Sequence, residues 1–456
     1  MKLVVTILEK TFDAAIEAIR GIALDHDAVE LRADAFGKVD YGALRAATQK
    51  PLILTHRGRR TDKVTIEAAL SAGIDLIDVE FDERLERAEI ERHADRIVLS
   101  HHDYERVPDV EVLVERMCSL ECAHVKVATT PQSMAENLRL LGLLDGRRPI
   151  TVIGMGERGL YSRILAPFRG SELAFVAPEP SRSGAPGQVT LSTALEIYGP
   201  RRERLRATHV FAIAGNPAGH SMSPSIHNAL FREKGADAAY TVASFETFAE
   251  IAAALQSGEL RGLSVTAPFK EEAFAFAKER GAAIGENARA CAAANTLVRR
   301  GDGFLAENTD VDGFTAILRE LCGRDRKSVA LVGAGGTARA ALVALRGAGV
   351  HVTIFNRTAG KANGLAAGFG VRAQTLDELG RFDGEIVINT LPPAPGSALS
   401  LNLRPGSTYI EAAYGDPRLS ERRSQLSSNG VQVFDGLDLL RAQAVRQNEL
   451  FIEAIH

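Results

Sequence analysis

The chain's 456 residues are 45% hydrophobic and 25% charged, and its formal net charge is -4 at neutral pH. A single core stops growing near about 250–300 residues, so two or three domains of an ordinary soluble globular protein are expected. The charge argues against a nucleic-acid or polyanion partner, and no apolar run reaches the roughly 20 residues that span a bilayer.

The N-terminal Met1-Lys-Leu-Val-Val-Thr-Ile-Leu8 lacks a cleavage site and reads as a strand rather than a signal peptide. Short β-rich runs then alternate with helical patterns. Strands are expected over Leu3–Leu8, Val29–Asp34, Leu52–Thr55, Leu76–Glu80, Ile97–Ser100, His124–Ala128, Thr151–Ile153 and Leu173–Ala177. Helices are expected over Phe12–Leu24, Tyr41–Thr48, Lys63–Ala72, Asp82–Ala94, Val110–Glu121, Gln132–Leu144, Gly159–Leu165 and Leu191–Tyr198. Eight β-α units in under about 250 residues predict a closed (β/α)8 barrel; an open doubly wound sheet competes, and the even count favours the barrel. Cys118 and Cys122 fall on one face of the fifth helix. With Cys291 and Cys322 they show no metal-ligand spacing, so free thiols in a reducing cytoplasm are expected.

Barrel chemistry sits at the C-terminal ends of the strands. There this chain offers Glu30, Arg32 and Asp34, then His56 and Arg57, Asp78 and Glu80, Ser100-His101-His102-Asp103, Lys126, Met155, and the loop Ser183-Gly-Ala-Pro-Gly-Gln188. Alternation within Ala123-His-Val-Lys-Val-Ala-Thr129 aims Lys126 into the barrel, with His124 and Ala128. Burial and nearby arginines would favour the neutral amine, a nucleophile for carbonyls. The other reading of the same spacing is a lysine neutralised by Glu30 or Glu80 in a structural ion pair.

Glu30-x-Arg32-x-Asp34, Ser100-His-His-Asp103, the lysine followed by Thr129-Thr-Pro-Gln132, Met155-Gly-Glu-Arg-Gly-Leu-Tyr-Ser-Arg163 and Ala185-Pro-Gly-Gln188 together resemble type I 3-dehydroquinate dehydratase over most of residues 1–200. The resemblance implies a Schiff base on Lys126, with His102 as general base and acid. Glu30, Arg32, Arg57, Arg163 and Gln188 would hold the substrate's hydroxyls and carboxylate. An iminium acidifies the adjacent carbon, a near-neutral histidine can take and return the proton, and guanidinium forks match a carboxylate. One of two neighbouring histidines on a strand must face away, and the family motif together with alternation assigns that place to His101. Two departures stand out. Where the family carries Glu-Gly-Gly after the strand-three arginine, this chain reads Gly58-Arg-Arg-Thr-Asp62, so support for the histidine is missing or comes from Asp62. Gly184 replaces the usual serine, with Ser183 shifted by one, so the lid loop should close differently and turnover should be slower.

Gly199-Pro-Arg-Arg-Glu-Arg-Leu-Arg206 is a charged, proline-initiated segment and the expected domain boundary. A strand over Thr208–Ala214 then breaks at Gly215-Asn-Pro-Ala-Gly-His-Ser-Met-Ser-Pro224, offering Ser221 and Ser223 beside a helix start, where a carboxylate is welcome. Gly262-Leu-Ser-Val-Thr-Ala-Pro-Phe-Lys270, Ala294-Asn-Thr296 and Glu307-Asn-Thr-Asp310 each end an apolar run with polar residues. Lys270 and Asp310 suit a proton shuttle to an alcohol oxygen.

Ser328 to Arg346 reads strand, tight turn, helix: Gly333 permits the turn, Gly335 admits a pyrophosphate, and Ala338 holds the close-packing third position. Gly336 and Thr337 begin the helix, whose N-terminus faces the phosphates. A second strand over Val350–Phe355 is followed by Asn356-Arg357-Thr358, then Lys361. Cations and a hydroxyl there, in place of a carboxylate, predict an NADP site.

Residues 207–456 resemble shikimate dehydrogenase. The motifs are the Gly-x-Pro-x-x-His-Ser-x-Ser-Pro loop, Val-Thr-x-Pro-x-Lys, Asn-Thr, Asn-Thr-Asp, Gly-Ala-Gly-Gly and Asn-Arg-Thr, in order. The resemblance makes Lys270 and Asp310 the catalytic pair. Ser221, Ser223, Thr266, Asn295 and Gln443 would bind shikimate, and Tyr414 would line the cleft between the lobes. Ser264 stands where bacterial relatives often have Asn, and Thr390-Leu-Pro392 where Ala-Thr-Ser follows the strand-ending Asn389. The implied architecture is a barrel over 1–205, a substrate lobe from 207–311 plus 436–456, and a Rossmann lobe over 312–435, hinged near Asp312-Gly313 and Gly436. The implied function is dehydration of 3-dehydroquinate to 3-dehydroshikimate, then NADPH-dependent reduction to shikimate. The only partners expected are these small molecules; no metal, nucleic acid or membrane is expected, and oligomeric state is left open. Two alternatives stand beside this reading: quinate accepted by the second half, or a barrel reduced to a binding module, which the lost Glu-Gly-Gly segment favours.

Overall fold

The computed structural model describes residues 1–36, 38–57, 63–81, 87–146, 148–200, 202, 205–321, 327–391, 399–414 and 417–456. The chain divides into two compact units, Met1–Leu260 and Arg261–His456. None of the described helices is long and apolar enough to cross a membrane. Cys322, Asp62 with its neighbours 58–61, Pro392 and the expected helix start at 82–86 lie outside the described residues.

The first unit opens with β1 (Lys2–Ile7), α1 (Phe12–Arg20), β2 (Ala28–Arg32), α2 (Tyr41–Ala47), β3 (Leu52–Thr55), α3 (Lys63–Ser71), β4 (Leu76–Glu80) and α4 (Arg87–Arg92). It continues with β5 (Ile97–Asp103), α5 (Val110–Cys118), β6 (His124–Thr129), α6 (Met134–Gly142), β7 (Ile150–Gly154), α7 (Gly156–Leu165), β8 (Leu173–Val176) and α8 (Leu191–Tyr198). The eight strands run parallel in the order β7-β6-β5-β4-β3-β2-β1-β8. Strands buried on both faces need apolar residues on both, which is why β1 and β3 read as near-continuous Leu, Ile and Val runs. The remaining seam, β7 to β8, is nearly closed by Glu172 N–H to Ile150 O (3.2 Å) and by two hydroxyls. Thr151 Oγ1 accepts from Leu173 N (3.0 Å) and Ser171 Oγ from Val152 N (3.2 Å). Val4, Ala28, Ile53, Ala128, Ile153 and Phe175 form the apolar cluster that fills the interior.

Caps set the helix limits. Thr11 accepts from Ala14 N and Gly21 stops α1 well short of Leu24. α5 ends at Cys118, so Cys122 lies beyond it and the two thiols do not share a helix face, contrary to expectation. α7 begins at Gly156, a turn earlier than expected, because Met155 already has the extended backbone of an N-cap. A Cβ on Gly159 would stand 2.5 Å from the Gly154 carbonyl carbon, so α7 lies directly against the end of β7.

The same unit holds β9 (His209–Gly215), α9 (Ser223–Lys234), β10 (Ala238–Ser244) and α10 (Phe248–Ser257), with β9 and β10 parallel. The segment expected as a boundary is anchored: Arg202 is buried and pairs with Asp25 (2.9 Å) and Asp27 (3.1 Å).

The second unit begins with β11 (Gly262–Val265), α11 (Lys270–Glu279), β12 (Ala283–Ile284), α12 (Glu286–Cys291), β13 (Thr296–Arg300), β14 (Gly303–Glu307) and α13 (Asp310–Leu321). β13 runs antiparallel to β11 and β14, and β12 parallel to β14. Then come β15 (Ser328–Val332), α14 (Gly336–Leu345), β16 (His351–Asn356), α15 (Ala359–Phe369), β17 (Arg372–Thr375), β18 (Ile386–Asn389), β19 (Thr408–Glu411), α16 (Pro417–Ser428), β20 (Gln432–Phe434) and α17 (Gly436–Glu453). These six strands are parallel in the order β17-β16-β15-β18-β19-β20, so the strand order reverses between β15 and β18. The glycines expected at the hinge are tightly packed. Gly313 lies inside α13, where a Cβ would come within 2.9 Å of Gln443 Cβ on α17; one on Gly436 would meet the Ala413 carbonyl at 2.5 Å.

Candidate active sites

Because β-strand side chains alternate, only every second residue near a barrel strand's end faces inward. In the first unit these positions, with the loops beyond them, bring Glu30, Arg32, Arg57, His102, Lys126, Arg163 and Gln188 to one pocket, with Thr6, Tyr104, Met155 and Phe175. His101 is not among its lining residues. Lys126, buried, donates to Asp78 Oδ2 (2.8 Å) and Glu30 Oε1 (3.3 Å), and its Nζ lies 3.8 Å from the Phe175 ring centroid. Its second acid is therefore Asp78, not Glu80. Thr6 and Thr55 hydroxyls donate to the Glu30 oxygens (2.7 and 2.9 Å), and Ser100 Oγ to Asp78 Oδ1 (2.6 Å).

Glu80 serves the histidine. Its Oε1 accepts from His102 N (2.8 Å), and its Oε2 lies 2.8 Å from His102 Nδ1 and 2.7 Å from Arg57 Nη1. Among the described residues, the carboxylate beside His102 comes from the neighbouring strand. The signal was available: Glu80 ends β4, registered opposite Ser100 of β5, two residues from His102.

Burial opposes charge on all three acids, but nearby cations and hydrogen bonds outweigh it. Lys126 holds Glu30 below its ordinary value, Lys126 and Arg57 do the same for Asp78, and the His102 hydrogen bond does so for Glu80. Burial pushes His102 down to about 4, with Arg57 and Lys126 adding to the effect and Glu80 opposing it, so the imidazole is neutral at neutral pH. Burial also lowers Arg163 to about 10, which leaves it cationic. Arg163 donates to Pro186 O (3.0 Å) and pairs with no carboxylate among the described residues. Arg32 is held by Asp34 (2.9 Å), and Gln188 Oε1 accepts from Gly184 N (2.8 Å). The shifted Ser183 donates to Ala185 O (2.9 Å) and is exposed.

Ser221 and Ser223 lie in the first unit, where Ser221 Oγ donates to Ser223 Oγ (3.0 Å) at the start of α9. In the second unit Lys270 and Asp310, each the first residue of its helix, meet at 2.5 Å. Asn295 Nδ2 donates to the other Asp310 oxygen (2.8 Å) and to Thr309 Oγ1 (3.1 Å), and Thr309 Oγ1 donates to Gln443 Oε1 (2.7 Å). Gln447, which the sequence reading did not single out, ties this network together. It accepts from Ser264 Oγ (2.6 Å) and donates to Thr296 Oγ1 (2.7 Å) and Asn295 O (3.1 Å). Position 264 thus serves the scaffold behind Asn295. Thr266 and Tyr414 are half-buried at the ends of β11 and β19.

At the strand-order reversal Gly333 adopts φ 109°, and a Cβ there would collide with Thr390 Oγ1 at 2.4 Å. Thr390 Oγ1 in turn donates to Val332 O (2.8 Å), which binds β18 to β15 beside the turn. Gly335 caps α14 without a side-chain hydrogen bond; Gly336, Thr337 and the buried Ala338 follow. A Cβ on Gly336 would stand 4.0 Å from Lys270 Cδ, so the lysine stem borders this turn. After β16, Asn356 is buried and donates to Thr358 O (3.0 Å), while Arg357, Thr358 and Lys361 are exposed around the start of α15.

Three family models match the chain: type I 3-dehydroquinase over residues 3–204, shikimate dehydrogenase substrate binding domain over 213–297, and shikimate / quinate 5-dehydrogenase over 317–389. The chain is 29% identical over 419 residues to the bifunctional 3-dehydroquinate dehydratase/shikimate dehydrogenase, chloroplastic, of Arabidopsis thaliana, covering 85% of this chain and 68% of that protein. It is 30% identical over 360 residues to the shikimate biosynthesis protein AroDE of Chlamydia pneumoniae, covering 74% and 71%. It is 38% identical over 253 residues to the shikimate dehydrogenase (NADP(+)) of Hyphomonas neptunium, covering 52% and 89%.

Proposed function

The chain belongs to the bifunctional 3-dehydroquinate dehydratase/shikimate dehydrogenase family, and from that premise we propose how its residues divide the two reactions. Residues 1–205 carry the dehydratase, 207–311 with 436–456 the shikimate-binding lobe, and 312–435 the NADP lobe.

In the barrel, Lys126 passes a proton to the substrate ketone oxygen as its amine nitrogen adds to the carbon. The carbinolamine oxygen then leaves as water with a second nitrogen proton, so the iminium carries the charge the ammonium brought. Asp78 and Glu30, which hold the ammonium, face the same charge afterwards, so the step needs no new counter-ion. Neutral His102, steadied by Glu80, takes the proton from the carbon next to the iminium and delivers it to the departing hydroxyl, which leaves as water. Hydrolysis of the iminium then frees the product and the lysine. Arg163 receives the substrate carboxylate; Glu30, Arg32, Arg57 and Gln188 hold its hydroxyls. The observation that carries this reading is that one pocket holds Lys126, neutral His102 and a buried guanidinium with no acid of its own among the described residues.

In the second half, Thr266, Asn295 and Gln443 hold the substrate beside Lys270 and Asp310, with Tyr414 at the edge, and Ser221 and Ser223 are the hydroxyls offered to its carboxylate. Lys270 and Asp310 supply a proton to the ketone oxygen during reduction and recover it in the reverse direction. NADPH supplies the hydride. Gly333, Gly335, Gly336, Thr337 and Ala338 would hold its pyrophosphate, and Arg357, Thr358 and Lys361 its 2′-phosphate, with Asn356 shaping that loop. The free thiols of Cys118, Cys122 and Cys291 support a cytoplasmic location.

Borohydride reduction with 3-dehydroquinate should fix the substrate skeleton on Lys126, readable by peptide mass. Lys126→Ala should abolish both trapping and dehydration while leaving shikimate oxidation intact. Trapping that survives the substitution would remove Lys126 from the mechanism.

A further inference from the structure

The loop that carries Ser221 and Ser223 is held by a residue of the barrel. Glu157, in the first turn of α7, turns its Oε1 toward that loop and accepts from Ala218 N and Gly219 N, each at 3.0 Å. The same oxygen accepts from Ser244 Oγ (2.7 Å) at the end of β10, and Ser244 Oγ itself accepts from Ala218 N (3.1 Å). The fit is close, since a Cβ on Gly219 would stand 3.1 Å from Glu157 Cγ. Glu157 is exposed and only partly desolvated, and the Ser244 hydroxyl and the two amides hold it below the usual carboxylate range.

The surroundings keep this acceptor in place. Arg158 pairs with Glu246 and donates to Gln132 O (3.0 Å), Thr241 Oγ1 donates to Tyr161 O (3.0 Å), and Met134 N donates to Glu250 Oε1 (2.9 Å). Glu157 does not line the dehydratase pocket, although Arg163 on the same helix does. Two adjacent backbone N–H groups converging on one carboxylate fix the orientation of the peptides they belong to. Those peptides lie just upstream of Ser221.

We propose that Glu157 is a positioning residue for the dehydrogenase reaction, contributed by the dehydratase barrel: it sets the 218–219 turn so that Ser221 and Ser223 present their hydroxyls to the substrate carboxylate. This rests on the reading of those two serines as substrate-binding.

The test uses the full chain with Glu157→Ala, Glu157→Gln and Ser221→Ala, assayed for shikimate oxidation with NADP and for dehydration of 3-dehydroquinate. Loss of a charge-assisted acceptor should raise the shikimate KM of Glu157→Ala about tenfold or more, with the KM for NADP and dehydratase kcat/KM within about twofold. Glutamine retains an oxygen acceptor without the charge, so Glu157→Gln should fall between the original protein and Glu157→Ala. If Ser221→Ala raises the shikimate KM and neither Glu157 variant does, Glu157 has no positioning role. If Ser221→Ala leaves it unchanged too, the serine reading falls and this proposal with it. Should Glu157→Ala lose dehydratase activity as well, Glu157→Gln decides: a raised shikimate KM with dehydration intact supports the proposal, and an unchanged KM overturns it.

Discussion

His102 and Lys126 lie on adjacent strands, yet their neighbours treat their charges oppositely. Lys126 faces Asp78 and Glu30, which in the proposed mechanism stabilise the ammonium before condensation and the iminium after it. His102 is buried beside Arg57 and Lys126, which disfavour a second cation and leave the imidazole free to accept a proton. The sign has a consequence. An unperturbed histidine would place the acidic limb of dehydratase kcat/KM near about 6.5, whereas this site should keep its activity down to about pH 5. Glu80→Gln removes a carboxylate that favours imidazolium, so it should move that limb lower still, while kcat falls about tenfold through lost positioning. A pH profile of both proteins checks the direction; a limb that rises in Glu80→Gln would contradict it. The same shift bears on stability. The unfolded chain binds the extra proton more readily, so the contribution of neutral His102 is present above about pH 6.5 and is lost as pH falls toward about 4.

Among the elements, the strand-to-helix turns do the positioning. Gly154 and Gly159 let α7 touch the end of β7, and that contact sends Arg163 into the pocket at one point of the helix and Glu157 toward the 215–223 loop at another. The turn after β15 works in a similar way: Gly333 leaves room for Thr390, whose hydroxyl joins β18 to β15. The altered segment after Asn389 therefore reinforces the turn as far as Leu391. In the proposed mechanism, specificity for the phosphorylated cofactor rests on the start of α15, where Arg357 and Lys361 stand in solvent without a carboxylate after the strand. Arg357→Ala should raise the KM for NADP about tenfold or more while leaving any activity with NAD unchanged, because only the 2′-phosphate contact is lost. Parallel titrations with the two cofactors read this out, and an equal rise for both would place Arg357 elsewhere in the site.

At the scale of the molecule, the dehydratase pocket is complete within the first unit, and the Lys270–Asp310 pair with the nucleotide turn is complete within the second. In the proposed mechanism no acid or base is shared between the reactions. Lys126→Ala and Lys270→Ala should therefore each lose one activity, and an equimolar mixture should again convert 3-dehydroquinate to shikimate after a lag while the intermediate accumulates. Enone absorbance and NADPH consumption follow the two steps separately. A mixture that never turns over would mean that the two sites must be intact in one chain.

Much of this was legible in order and spacing alone. Short apolar runs alternating with helical runs announced eight β-α units, and a glycine at a turn with no room for a side chain, Gly333, marked the strand-to-helix turn after β15. Lys270 and Asp310 stood at helix starts, while Lys126 lay within an interior strand. Such features are local, and local stereochemistry is written residue by residue. What the chain could not disclose was which acid meets which base: Asp78 rather than Glu80 beside Lys126, Glu80 beside His102, Gln447 behind Asn295, and Glu157 beneath the serine loop. Those partners are remote in sequence and are chosen by strand register and helix packing. Only the folded chain brings their charges within reach of one another.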